Sequence, residues 1–195
     1  MASLTAAWLR QRFAAVAPSM PGKPQTADPA LVPAAVLVPI VLRASALTIL
    51  LTQRTAHLRD HAGQISFPGG RCEPEDDSPV ATALREAHEE VGLDPVQVEI
   101  LGTLTEYRTG TGFTVQPVVG LVAPPLNLKL DDFEVEDVFE PPLEFLLQPA
   151  NFRRERAEYQ GAMREYWAVP WQERYIWGAT AGMLVSLREF LFSGV

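Results

Sequence analysis

Apolar positions change their period several times along this chain, and each change marks a predicted element. In residues 4–16, Leu4, Trp8, Leu9, Phe13 and Val16 recur at helical spacing. Pro18, Pro21, Pro24 and Pro29 then predict a loop to about residue 30. From Leu31 to Thr52 the chain is almost continuously apolar. Its length suits a membrane span, but Pro33, Pro39 and Arg43 interrupt it and β-branched residues are frequent. Two buried strands, about 34–42 and 46–53, with a turn near Arg43 to Ala46, fit better. A loop containing Phe67-Pro68-Gly69-Gly70 runs to about 78. Ser78 and Pro79 then read as the cap and first residue of a helix over 79–91, which Gly92 ends. Further on, residues 96–107 and 113–122 read as strands, 131–139 as a strand with acidic edges and 142–148 as a short helix. Residues 153–169 read as a polar hairpin. A last helix over about 171–192 is apolar nearly all round its first half and should be buried, with Trp177 and Met183 in the core.

The 195 residues suit one domain over 31–195 with the segment 1–30 attached. Cys72 is the sole cysteine, which excludes an intrachain disulfide. With no secretory signal in view, a reducing, cytoplasmic setting is expected. The formal net charge is −8, which argues against holding nucleic acid by bulk electrostatics. No membrane anchor is expected, and a homodimer is left open. An acidic protein acting on a polyanion needs local arginines and a metal ion. Lys23 and Lys129 are the only lysines, so the positive charge is nearly all arginine, the residue suited to forked hydrogen bonds with phosphate.

Candidate chemistry concentrates on Pro79 to Leu93. At 100° per residue, Val80, Leu84, Ala87 and Val91 form an apolar stripe, and Glu86, Glu89 and Glu90 crowd the other side. Like charges at i,i+3 and i,i+4 cost about 0.2–0.5 kcal/mol per pair. A divalent cation turns that repulsion into ligation, and carboxylate oxygens suit Mg²⁺ or Mn²⁺. The plain alternative is a solvated acidic face. Context weighs against it. The glycine pair upstream permits a backbone path that brings carbonyl and N–H groups up to a metal or phosphate.

At these residues the sequence resembles the Nudix hydrolase box. Arg85, Glu86, Ala87, Glu89, Glu90, Gly92 and Leu93 match its second half. In the first half the loop is one residue longer: Arg71 stands where glycine is expected, and either Asp76 or Asp77 supports Arg85. The longer loop resembles the coenzyme A pyrophosphatase branch. So do Leu50-Leu51-Thr52-Gln53-Arg54, Arg59, Gly63, Phe67 to Gly70, Glu73 (where that branch usually has Asp), Asp76 and Thr82-Ala83. Phe133 to Phe139 and Ile176 to Ala181 are also similar to that branch.

The resemblance implies an α/β/α sandwich, with a curved mixed β-sheet between the helix of the box and the C-terminal helix, and the N-terminal helix outside. It implies Mg²⁺-dependent hydrolysis of coenzyme A to 4′-phosphopantetheine and adenosine 3′,5′-bisphosphate. Glu86, Glu89 and Glu90 would hold the metal, with a carbonyl near Gly69 as an added ligand; Glu89 acting as general base is the alternative. Arg85 would fix the loop over the helix. Arg54 and Arg59, with Gly69 and Gly70, are expected at the substrate phosphates, exposed surface arginine being the alternative for the first two. Glu134 and Glu136 share a face if 131–139 alternates regularly, as a further ligand or base or as solvated edge. His88 is expected to be exposed. His57 and His61 have no metal spacing. Hydrolysis of ADP-ribose or a dinucleotide, and non-catalytic nucleotide binding, are the rival functions.

Overall fold

A computed structural model describes residues 4–15, 28, 30–57, 62–159 and 161–193. Its centre is a pair of long parallel strands, β1 (Val32–Leu42) and β8 (Phe113–Val122), in register from Val32↔Phe113 to Val41↔Val122. Strand alternation divides their side chains between two cores. Ala34, Val38 and Ile40 of β1, with Val115, Val119 and Leu121 of β8, face one core. Ala35, Leu37 and Val41, with Val118 and Val122, face the other. The near-continuous apolar run is therefore a strand buried on both sides. No described helix is long and apolar enough to cross a membrane.

The outer edge of β1 is shared by two antiparallel strands. β2 (Leu47–Ile49) pairs at residues 40–42, and β5 (Gly69–Arg71) at residues 34–36. Between them Leu37 N–H donates to Pro68 and Leu50 N–H to the Pro39 carbonyl. The missing N–H of Pro39 falls in this gap, which is why proline is tolerated in a central strand. β6 (Val98–Thr103) and the short β7 (Tyr107–Arg108) pair with β8. The predicted strand over 96–107 is thus two pieces.

β3 (Leu51–Arg54), β4 (Ile65–Ser66) and β9 (Val135–Phe139) form a second sheet. A third holds β10 (Arg153–Tyr159), β11 (Ala162–Trp171) and β12 (Arg174–Trp177). Arg174 ties these two sheets together through Gln53 and Asp137, with its guanidinium 4.6 Å from the Phe139 ring.

Helix α2 (Pro79–Val91) covers the second core through Ala83, Ala87 and Val91. The first core takes α3 (Leu143–Leu147) and α4 (Ala179–Phe192). The result is the expected α/β/α arrangement around a mixed sheet. The N-terminal helix α1 (Ala6–Ala15) is more integral than expected. Leu9 is fully buried, and Phe13 meets Phe190 of α4 at 4.5 Å between ring centres.

Two further expectations are corrected. The last helix begins at Ala179, because residues 174–177 pair with β11 and Gly178 (φ 66°) turns the chain. Trp177 therefore ends a strand and is 39% exposed, while Met183 is buried as expected. The apolar stripe of α2 is rotated toward Ala83: Leu84 lies at its margin, half-buried, and Val80 is only partly covered.

Candidate active site

The sequence builds α2 with defined ends. Ser78 accepts a hydrogen bond from Ala81 N–H at 3.2 Å, and Pro79 supplies a preset first residue, an arrangement worth about 1 kcal/mol. Gly92 closes the helix in the left-handed region, its N–H reaching His88. A side chain at Gly92 would also meet the backbone of Lys129 at 2.8 Å. There the following segment is bound to the helix end, through Lys129 N–H to Val91 and Asp131 N–H to Glu90.

Arg85 organises the loop that precedes the helix. Its Nε and Nη2 donate to the two oxygens of Asp76 at 3.1 and 3.0 Å, and Nη2 also reaches the Arg71 carbonyl. The buried Asp76 carboxylate further accepts from Thr82 Oγ1 at 2.8 Å and Glu73 N–H at 2.9 Å. The Arg85 guanidinium, then the Glu73 N–H and Thr82 hydroxyl, hold Asp76 down at about 2 against the opposing effect of burial. Asp76 is thus the partner of Arg85, and Asp77 is exposed.

The three glutamates have different environments. Glu89 is exposed and bound by Arg85 Nη1 at 3.0 Å, which also donates to Glu86 at 2.9 Å. Glu86 is half-buried beneath the glycine loop. A methyl group at Gly70 would stand 2.5 Å from its carboxylate, so glycine there makes room for it. Burial pushes the Glu86 carboxyl up; Arg85 opposes this, and Glu89 and Glu134 add to it. Glu90 is 5% exposed and accepts the Gly69 N–H at 3.1 Å. Burial raises it to about 8, with Glu86 and Glu134 adding and Gly69 and Arg54 opposing.

Arg54 enters from β3 on the far side. It stands 3.7 Å from Glu90 and 3.7 Å from Glu134, and its buried Nε has no hydrogen-bond partner among the described residues. Arg85 and Arg54 together meet the negative charge. Hard oxygen donors on Glu86 and Glu90, faced by Glu134 and by Gly69 and Gly70 of the loop, form a set suited to Mg²⁺ or Mn²⁺. Among the described residues no three His, Cys, Asp or Glu side chains form a ready-made cage.

The model of the NUDIX domain matches residues 32–160, about two thirds of the chain. The chain belongs to the Nudix family. The uncharacterized Nudix hydrolase NudL of Citrobacter koseri is 44% identical over 155 residues, covering 79% of this chain and 80% of that one. NudL of Escherichia coli strain K12 is 42% identical over 154 residues, with the same two shares covered. A crystal structure of a MutT/nudix family protein from Enterococcus faecalis shares the fold, with a TM-score of 0.51 at 16% identity over 94% of this chain and 73% of that one.

The structure brings Glu86, Glu89, Glu90, Arg85, Arg54, Gly69 and Gly70 together. Glu134 joins them, but Glu136 does not follow the expected pattern. β9 starts only at Val135, so Glu134 lies in the turn before it. β3 pairs Arg54 with Val135 and Gln53 with Asp137, leaving Glu136 as the extra, exposed residue of a bulge. That bulge breaks the alternation on which the Glu134–Glu136 pairing relied. Arg59 and His61 lie outside the described residues. His88 is exposed, as expected, with Nδ1 3.3 Å from the Leu93 carbonyl. Thr82 was legible only as part of the resemblance. Its signal is a small hydroxyl in the first helical turn, six residues after Asp76.

Proposed function

We propose that this Nudix protein hydrolyses the diphosphate linkage of coenzyme A, with Mg²⁺ or Mn²⁺, to 4′-phosphopantetheine and adenosine 3′,5′-bisphosphate. The observation that carries the reading is the burial of Glu90 beside Glu86 and Glu134, with the Gly69 N–H on the Glu90 carboxylate and Gly70 leaving room for that of Glu86. A surface acidic face has no reason to desolvate its charges. Coenzyme A is favoured among diphosphate substrates by the extended likeness around Leu50 to Arg54 and Phe67 to Asp76.

Glu86 and Glu90 would hold the cation, with Gly69 offering its carbonyl. When bound, such an ion polarises the phosphoryl oxygens and lowers the pKa of water. Water oxygen forms a bond to one phosphorus, the bridging P–O bond breaks, and the second phosphate departs. A carboxylate takes the proton of the attacking water. Glu134 suits this better than Glu89, which Arg85 engages. Arg54, 3.7 Å from both Glu90 and Glu134, and Arg59 in the segment that follows would neutralise phosphate charge. Asp76 and Arg85 act by holding the loop and Glu86 in place.

The test is product analysis by mass spectrometry with coenzyme A, 3′-dephospho-coenzyme A, ADP-ribose and NADH in parallel, with Mg²⁺ or with chelator. Adenosine 3′,5′-bisphosphate formed fastest from coenzyme A, and only with metal, is the expected result. Faster turnover of ADP-ribose or NADH would reject the substrate, and binding without turnover of any would reject the reaction.

A further inference from the structure

Of the exposed large apolar side chains Val32, Val96, Phe133, Met163, Tyr175 and Trp177, one is the chain neighbour of a residue in the carboxylate site. Phe133 is 64% exposed and directly precedes Glu134, which acts on both Glu86 and Glu90. An exposed aromatic ring offers a stacking surface to a flat ligand bound beside it.

The backbone beneath this ring is fixed from several directions. Phe133 N–H donates to Asp131 Oδ1 at 2.9 Å, and Glu134 and Val135 N–H close a turn on the Asp131 carbonyl. The Phe133 carbonyl accepts from the buried Thr55 Oγ1 at 2.7 Å, and Thr55 N–H reaches the Glu134 carbonyl. Asp131 N–H is itself bound to Glu90 at the end of the helix. The ring is thus exposed yet mounted on the same frame as the carboxylates. His57, also exposed, lies 5.0 Å away between ring centres, inclined at 59°, and supports one side of it.

We propose that Phe133 is the stacking platform for the nucleobase of the substrate, with His57 as its support. The inference rests on the reading that the substrate is a nucleoside diphosphate derivative. An aromatic face suits this task because every base presents a π-face, and a backbone already held in place reduces the ordering cost of binding. It also divides recognition. The carboxylates and Arg54 engage the diphosphate, and Phe133 selects for a base attached to it.

Calorimetric titration with Mg²⁺ and ADP, and separately with inorganic pyrophosphate as the base-free probe, tests this on the wild type, Phe133→Ala and Phe133→Trp. Phe133→Ala should weaken ADP binding about fivefold or more, and Phe133→Trp should bind it as the wild type does. Pyrophosphate should bind all three alike. ADP binding unchanged in Phe133→Ala, or absent from the wild type, overturns the proposal. So does an equal loss for pyrophosphate, which would place the effect on the phosphates. In turnover, Phe133→Ala should raise KM and leave kcat unchanged. ADP bound through Phe133 by a wild type that hydrolyses nothing would sink the hydrolase reading and leave this one standing.

Discussion

The Nudix helix and the β10–β11 hairpin carry the same kinds of charge and treat them in opposite ways. On the hairpin, Glu165 lies in water between Arg154 and Arg156, at 2.8 and 2.6 Å, and its carboxyl is lowered by Arg156 and then Arg154. On the helix, Glu90 is buried, its nearest guanidinium is 3.7 Å away, and its carboxyl is raised. The hairpin pairs are satisfied and, being exposed, contribute little. The helix carboxylates are kept where charge is costly, and such a cost points to chemistry rather than stability. Arg85 shows both patterns at once, with full pairing to Asp76 and partial pairing to Glu86 and Glu89.

The largest effect should come from removing charge where it is buried. Glu90→Gln should lower kcat on the order of 10³-fold with an intact fold, measured by steady-state turnover beside circular dichroism. Gly70→Ala should follow. The added methyl meets the end of the Glu86 side chain rather than backbone, so the carboxylate shifts and the fold does not. A displacement near 1 Å costs about 100-fold in rate, while the melting temperature should hardly move.

Asp76→Asn keeps the shape of the clamp and removes its charge. Turnover should fall on the order of tenfold. Its pH signature is specific. Asp76 sits at about 2 in the fold against an ordinary 3.8, so its contribution is present above 3.8 and lost as pH falls toward 2. Denaturant unfolding across that window should be flatter for the variant, and an unchanged slope would contradict the clamp. The smallest effect should be that of Glu165→Gln, with kcat, KM and melting temperature all within error of the wild type.

Most of this contrast was legible in the sequence, for local reasons. The helix over 79–91 announces its own start, stop and acidic side through Ser78, Pro79, Gly92 and the glutamate spacing. The strand over 32–42 was readable because burial on both faces leaves a continuous apolar run. What escaped depends on contacts that only the folded chain makes. Asp76 and Asp77 differ only in which one the fold buries against Arg85 and Thr82. Glu136 left the expected pattern because pairing with β3, far upstream in the chain, makes it the extra residue of a bulge. The last helix lost its first turns to β12, since Arg174 to Trp177 gain more by pairing with β11 than periodicity could reveal. Phe133 fell within the predicted strand over 131–139, but the chain turns there and leaves it in solvent.

The most direct test of the account is Mn²⁺ binding, followed by electron paramagnetic resonance, to the wild type, Glu90→Gln and Glu165→Gln without substrate. The account predicts that Glu165→Gln titrates as the wild type does and that Glu90→Gln loses its bound Mn²⁺. Equal binding by all three would mean that the buried helix carboxylates are not the metal site, and the proposed reaction would lose its foundation.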